Sequence, residues 1–180
     1  MTLALQMFAI APATGKANLS AAQESLLVGK ARWLREAHKG GLAVLPTIVI
    51  TRAAWDALQR ERRAQADKLR THWVVTLFRL VGRDGVPPQL VVRTSAPVHS
   101  AGLMPGRRNL PAPQSEAEAV DPARPLARAI TDAFESYPDA GDPGRQIVIV
   151  QAMAEGDLRL FCVRDPNTGE LGPAASNGSP

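Results

Sequence analysis

Cysteine is almost absent from this sequence, and long apolar runs are absent altogether. The one cysteine, Cys162, excludes an internal disulfide and any metal site built from several cysteines. Its apolar neighbours predict a buried strand residue rather than a reactive thiol. So little cysteine fits a reducing compartment, and we expect a cytoplasmic location. A membrane-spanning helix needs about 20 consecutive apolar residues, so the sequence predicts a protein that does not cross a membrane.

The sequence also lacks a secretory signal and any set of catalytic or metal-binding residues. The first basic residue, Lys16, follows the apolar start of the chain, whereas a signal peptide has its basic residues first. Residues 3–10 are therefore predicted to form a first strand. His38 and His72 lack metal-ligand spacing, and His99 is interpreted as a polar loop residue. No nucleophile, base and orienting acid can be combined, so no catalytic and no metal-binding residue is predicted.

The charge of the chain is modestly positive. Lysine and arginine number 21 against 17 aspartates and glutamates, which gives a net charge of +4. This excess favours phosphate-bearing partners, but it is less dense than the basic stripe of a dedicated nucleic-acid-binding protein. Much of it lies between Arg52 and Arg70, where acidic residues interrupt it. We interpret that segment as the solvated face of a helix.

Apolar periodicity predicts one α+β domain over residues 1–170. The β-branched segment 47–51 predicts a strand, and Thr51 can cap a helix that runs from about 53 to about 80, with or without a break. Segments 146–153 and 157–163 predict an antiparallel hairpin. A further helix is predicted to be capped by Ser20 or Ser25 and ended by Gly40-Gly41. After it the sequence predicts a strand at 89–92, a connection over 111–125, a helix at 126–137 and a flexible tail over 171–180. Trp33, Trp55 and Trp73 are predicted to occupy helix-core positions.

Two cations stand where backbone N–H groups can share an anion with them. Lys30 follows a glycine at a predicted helix start, and Arg93 lies at the end of a short apolar strand. An ammonium near a helix start supplies a point charge, and a guanidinium can form two parallel bonds to phosphate oxygens. The alternatives are an ordinary surface role for Lys30, and for Arg93 an ion pair with Asp132 or Glu135.

The segments around these cations resemble the nucleotide-binding domain of pyruvate phosphate dikinase and phosphoenolpyruvate synthase. Val-Gly-Lys-Ala at 28–31 and the strand segment 41–51 resemble the family's opening helix and strand. Residues 92–110 align without a gap with its Val-Arg-Ser-Gly-Ala-x-x-Ser-Met-Pro-Gly segment. Val-Gln-Ala-Met at 150–153 and Val-Arg-Asp-Pro-Asn-Thr-Gly-Glu at 163–170 resemble its Val-Gln-x-Met strand and its Thr-Arg-Asn/Asp-Pro-x-Thr-Gly-Glu signature. These matches keep the order that they have in the family.

The resemblance implies an ATP-grasp-like N-terminal lobe with a mixed sheet and a C-terminal antiparallel β-hairpin. It implies that Lys30 and Arg93 approach the phosphates of ATP, which magnesium can accompany. It also implies that the loop from Thr94 and Ser95 to Gly102 brings backbone N–H groups close to them, and that Gln151 lies in the strand that borders the nucleotide cleft. On this basis the expected ligand-binding residues are Lys30, Arg93, Thr94, Ser95, Gly102 and Gln151.

The sequence also departs from the family. Pro105-Gly106 replaces the family's Asp-Thr, and Arg107 and Arg108 stand where apolar residues are expected. The acidic Gly-Glu-x-Val-Val-x-Gly block, which supplies carboxylates for magnesium in the family, is not found. We therefore expect a binding module for ATP or another phosphate ligand, of phosphotransferase ancestry, that needs a partner polypeptide for catalysis. The alternatives are a protein-interaction module that has lost ATP binding and a basic nucleic-acid accessory protein.

Overall fold

The computed structural model describes residues 7–12, 17–60, 64–81, 89–96, 106–137, 145–153, 162–164 and 171–173. Helices and strands are interspersed along the chain. In chain order the elements are β1 (Met7–Ala11), α1 (Ala21–Leu26), α2 (Gly29–Lys39), β2 (Thr47–Thr51), α3 (Arg52–Arg60), α4 (Ala64–Val81), β3 (Leu90–Thr94), β4 (Arg107–Leu110), α5 (Glu116–Val120), α6 (Pro125–Glu135), β5 (Ile147–Ala152), β6 (Cys162–Arg164) and β7 (Leu171–Pro173).

Five strands form one sheet in the order β1-β2-β5-β3-β4. Every neighbouring pair is antiparallel, so the fold is α+β as predicted, but the sheet is not mixed. β5 lies at the centre, where Ile149 pairs with Val49 on one side and with Arg93 on the other. Because both edges of β5 are taken, the predicted hairpin between 146–153 and 157–163 is wrong. Instead, β6 pairs antiparallel with β7, in a separate two-stranded sheet.

The larger hydrophobic core lies on the sheet face that α3, α4, α5 and α6 cover. It contains Ile48, Ile50 and Val150 from the sheet and Trp73 and Phe134 from the helices, all buried. The Trp73 indole N–H donates to the Ala119 carbonyl at 2.8 Å. Its ring packs edge to face against that of Trp55, with 6.2 Å between the ring centroids. Buried indoles need such a partner for the N–H. We refer to this side of the sheet as the large-core face.

The opposite side of the sheet, which we call the α2 face, has a smaller core. Strand residues Phe8, Val49 and Ile149 pack there against Leu27 and Ala31 at the start of α2. These strand positions alternate with those of the large-core face, because successive side chains of a strand point to opposite sides. α2 covers only part of this face, and only two of its residues, Ala31 and Arg35, are buried.

The predicted helix that follows residue 20 is in fact two helices. Ser20 caps α1 with a complete capping box, in which it and Gln23 exchange bonds at 3.2 and 2.9 Å. Leu27 and Val28 are then extended, and Gly29 starts α2 at a φ of +50°. Gly40 is the C-cap of α2. The prediction that glycine ends this helix is confirmed.

Other predicted elements are confirmed or corrected as follows. The strand at 47–51 has the predicted bounds, and Thr51 bonds the N–H of Ala54 at 3.3 Å near the start of α3. The predicted long helix is described as α3 and α4, on either side of residues 61–63, which lie outside the described residues. Its core tryptophans Trp55 and Trp73 are buried. The segments predicted as connection or tail contain α5 and β7, and β4 was not predicted. Within the described residues, no helix is long and apolar enough to cross a membrane.

Candidate functional site

A serine at the end of β3 holds the start of α2. The Ser95 hydroxyl accepts the N–H of Ala31 at 2.8 Å and donates to the carbonyl of Val28 at 2.6 Å. Gly29 lies so close to the carbonyl of Ala96 that a Cβ at position 29 would overlap it. The missing side chain and the positive φ therefore explain why a glycine starts this helix. The first turn of α2 is thus fixed against the end of β3.

The backbone of Ser95 is itself held by β5 and by Tyr137, which follows α6. The Ser95 backbone N–H donates to the carbonyl of Ile147 and to the hydroxyl of Tyr137, both at 3.0 Å, and that hydroxyl donates to the same carbonyl. Burial raises the pKa of Tyr137 to about 12, although its two backbone hydrogen bonds act in the opposite direction. Tyr137 therefore stays neutral and keeps its place in this network. The sequence gives no signal for this role.

Two N–H groups in the first turn of α2 have no bonded acceptor within the described part of the chain. They belong to Gly29 and Lys30, the first two residues of the helix. Helix starts carry a partial positive charge because such N–H groups lack intrahelical partners. The Lys30 side chain is exposed at this place. An anion at this turn would meet two N–H groups and one ammonium.

Arg93 lies two residues before Ser95 and points to the same, α2 face of the sheet. Its guanidinium is half-buried, and burial lowers its pKa, with repulsion from Arg108 as the second cause. Among the described residues Arg93 has no acidic partner and no hydrogen-bond acceptor. The alternative of an ion pair with Asp132 fails because Asp132 pairs with Arg107 instead, at 3.8 Å, and the Arg107 position lies on the large-core face.

Strand β4 brings the second arginine to Arg93. Arg107 pairs with Val92 across the ladder, so the next residue, Arg108, lies on the α2 face beside Arg93. Gly106 lies against the aliphatic part of Arg93, and a Cβ there would be 3.7 Å from the Arg93 Cγ. Two like charges therefore share one side of the sheet edge. An anion between the two guanidinium groups would offset this repulsion.

The other predicted ligand residues have different surroundings. Thr94 is buried and, by strand alternation, lies on the large-core face, away from Arg93. Gln151 is buried on the α2 face, where its amide donates to the Thr47 hydroxyl at 2.9 Å. Gly102 lies outside the described residues. The structure thus fixes the first turn of α2, which includes Lys30, against Ser95, and it places Arg93 on the same sheet face as Ser95. Thr94 and Gln151 occupy packed positions.

Two arginines of the basic helical segment between residues 52 and 70 have acidic neighbours. Arg52 bonds the side chain of Asp56 at 3.3 Å and the carbonyl of Phe134 at 2.9 Å. Arg70 lies 3.9 Å from Asp67 in its own helix. These contacts reduce the positive charge of the segment at Arg52 and Arg70 and agree with the interpretation of a solvated helix face.

The part of the chain that the structure describes contains no group of histidine, cysteine and acidic residues that could hold a metal ion. A shallow groove of about 250 Å³ between α4 and α5 is lined by residues that include Arg70 and Glu116. It lies on the large-core side and contains none of the predicted ligand residues.

Comparison of the sequence with models of known protein families finds no match, and neither does comparison with curated proteins.

Proposed function

We propose that this chain binds ATP or another phosphorylated small molecule at the start of α2. The observation that carries the proposal is Arg93, a half-buried guanidinium with Arg108 beside it and with no acid near it among the described residues. A buried charge is costly unless an opposite charge or hydrogen bonds compensate for it. A phosphate group would supply both.

Each residue of the site has a distinct task under this proposal. Arg93 forms charge-assisted bonds to phosphate oxygens, and Arg108 and Lys30 add positive charge at the rim. The free N–H groups of Gly29 and Lys30 donate hydrogen bonds to a further phosphate oxygen. Ser95 does not touch the ligand through its hydroxyl, because that hydroxyl is engaged with α2. It positions the helix start beside Arg93.

The proposal is limited to binding. The resemblance to the nucleotide-binding domain of pyruvate phosphate dikinase and phosphoenolpyruvate synthase favours ATP, with or without magnesium, as the ligand. Cations and N–H groups stabilise phosphate, but phosphoryl transfer also requires that an acceptor be positioned in line. We propose that a partner polypeptide supplies the acidic lobe if transfer takes place.

The test is calorimetric titration with ATP, with and without magnesium, of the wild type, Arg93→Ala and Arg107→Ala. Arg107 is the matched control, because it is an arginine one strand away that lies on the opposite face and pairs with Asp132. We expect Arg93→Ala to weaken binding by roughly 10- to 100-fold, the value of charge-assisted hydrogen bonds. Arg107→Ala should leave the affinity unchanged.

Two results would contradict the proposal. If calorimetry of the wild type shows no heat of binding at millimolar ATP, the chain does not bind this ligand class at useful affinity. If Arg93→Ala and Arg107→Ala weaken binding equally, the effect is one of overall charge and the site is misplaced. Thermal unfolding of both variants, followed by circular dichroism, checks that neither has lost the fold.

A further inference from the structure

The three tryptophans of the chain have opposite environments. Trp55 and Trp73 lie in the large core, with 3% and 0% of their surface exposed, whereas Trp33 on α2 is 74% exposed. The prediction that Trp33 is a core residue is therefore wrong. The inward positions of α2 are Ala31 and Arg35, and Trp33 falls between them on the outer side. A large aromatic side chain in this position contributes little to the core.

Trp33 lies on the same helix surface as Lys30. Lys30 precedes it by three residues, and residues three apart on a helix are neighbours. Side chains on a helix lean toward its N-terminus, so residue 33 covers the surface over the first turn. The indole therefore lies at the end of α2 where the free N–H groups and Lys30 are found.

The charges around Trp33 show which kind of partner this surface fits. Lys30 and Arg32 are both exposed, and neither pairs with an acid among the residues that the structure describes. By contrast, Arg35 and Lys39 of the same helix bond Glu24 at 3.0 and 3.3 Å. The cations left without partners are thus those beside Trp33. An aromatic ring flanked by free cations complements a partner that is both planar and anionic.

We propose that Trp33 stacks on the base of a nucleotide whose phosphates bind at Lys30 and Arg93. This inference rests on the proposed function and adds the ligand class, because it requires a nucleotide rather than any phosphate compound. Stacking on an aromatic side chain is tolerant of base identity, since every base has a π face. The site should therefore distinguish nucleotides from inorganic polyphosphate more strongly than it distinguishes one base from another.

The experiment compares ATP with inorganic tripolyphosphate as ligands of the wild type, Trp33→Ala and Trp33→Phe. Binding is measured by calorimetry, and indole fluorescence is recorded in the same titrations. Val75→Ala is the matched control, because Val75 is an exposed apolar residue on α4, away from α2. All four proteins should unfold at similar temperatures, since neither residue 33 nor residue 75 is buried.

We expect ATP to bind the wild type more tightly than tripolyphosphate and to quench its fluorescence. Trp33→Ala should weaken ATP binding by roughly 5- to 100-fold, to the level of tripolyphosphate, and should not change tripolyphosphate binding. Trp33→Phe should retain most of the ATP affinity but lose the fluorescence change. Val75→Ala should behave as the wild type.

Different failures separate this inference from the proposed function. If tripolyphosphate binds through Arg93 but Trp33→Ala leaves ATP binding unchanged, stacking is overturned and the phosphate site stands. If neither ligand binds the wild type, the proposed function fails and the stacking inference fails with it. Binding of a single-stranded oligonucleotide that depends on Trp33, in the absence of ATP binding, would overturn the nucleotide in favour of a nucleic acid.

Discussion

The arginines on the two faces of the central sheet differ in whether they have acidic partners. On the large-core face, Arg52 bonds Asp56 and the carbonyl of Phe134, and Arg107 pairs with Asp132. On the α2 face, Arg93 and Arg108 lie together, and within the described residues neither pairs with an acid. The arginines on the large-core side are therefore paired, whereas the two on the α2 face are not paired with acids within the described residues.

Under the proposed function, this difference separates residues that stabilise the fold from residues that bind a ligand. Two adjacent guanidinium groups repel each other, and partial burial of one increases the cost. Such an arrangement contributes nothing to folding. The large-core face should consequently dominate stability, and the α2 face should dominate binding, which gives each substitution below an expected profile in two measurements.

Trp73→Ala should have the largest effect on stability. The substitution removes a fully buried indole, leaves a cavity beneath β1 and β2, and deprives the carbonyl of Ala119 of its donor. Loss of a buried tryptophan costs roughly 3–5 kcal/mol. Arg93→Ala should instead leave the free energy of unfolding unchanged or slightly increased, because it relieves repulsion from Arg108. Urea unfolding of both variants measures the difference, and equal destabilisation would abolish the distinction between the two faces.

Gly29→Ala should have the second largest effect on stability, and it should also weaken ligand binding. The new Cβ would overlap the Ala96 carbonyl, and the helix start cannot move away without breaking its bonds to Ser95. Strain and displacement together should cost about 2–4 kcal/mol. Gly41→Ala is the control, because Gly41 also has a positive φ but has open space around its Cα. It should cost only about 1 kcal/mol.

The same pair also tests the site. Gly29→Ala should weaken ATP binding in the folded fraction, since it shifts the first turn of α2, whereas Gly41→Ala should not. If both variants lose the same stability and the same affinity, close contact between α2 and the end of β3 has no importance for either property.

Sequence patterns were sufficient for the elements whose signals are local. The β-branched segment of β2, the apolar period of α6 and the core positions of α4 are all read from a few neighbouring residues, and the structure confirms them. β4 gave no such signal, because its residues Arg107 and Arg108 are exposed and Asn109 has a φ of +56°. It is a strand because β3 pairs with it, and long-range pairing leaves no trace in a short polar segment.

The site shows the same limit. Lys30 and Arg93 could be proposed from their local sequences. However, the hydrogen bond that fixes the start of α2 against the end of β3 joins Ala31 to Ser95, which are 64 positions apart in the sequence. Periodicity alone also misplaced Trp33, which is exposed on the outer side of α2, where no second layer lies among the described residues. Apolar character predicts burial only where a second layer exists to bury it.

Alkaline pH should destabilise the protein through Tyr137. Its pKa is raised to about 12 in the folded state, above the usual value of about 10 for an unfolded chain. The protonated form is thus favoured by folding, so this contribution is complete below pH 10 and is lost as the pH rises from about 10 to about 12. The total loss should be roughly 2–3 kcal/mol.

Tyr137→Phe provides the check on that assignment. It should cost about 1–3 kcal/mol at neutral pH, because Ser95 and Ile147 lose a buried partner, but it should remove this tyrosine-linked loss between pH 10 and 12. Tyr137 is the only tyrosine in the sequence, so its absorbance change reports its titration directly. Ionisation of the folded protein near pH 10 would mean that the hydroxyl is not held as described.

Arg107→Ala should have the smallest effect of all on stability. Its partner Asp132 lies 3.8 Å away, and both side chains are more than half exposed, at 66% and 52%. Exposed pairs of this kind contribute roughly 0–0.5 kcal/mol. A double-mutant cycle with Asp132→Ala, measured by urea unfolding, isolates the coupling free energy. A coupling above about 1 kcal/mol would mean that paired arginines stabilise the large-core face. A coupling near zero would mean that packing, and not this ion pair, stabilises that face.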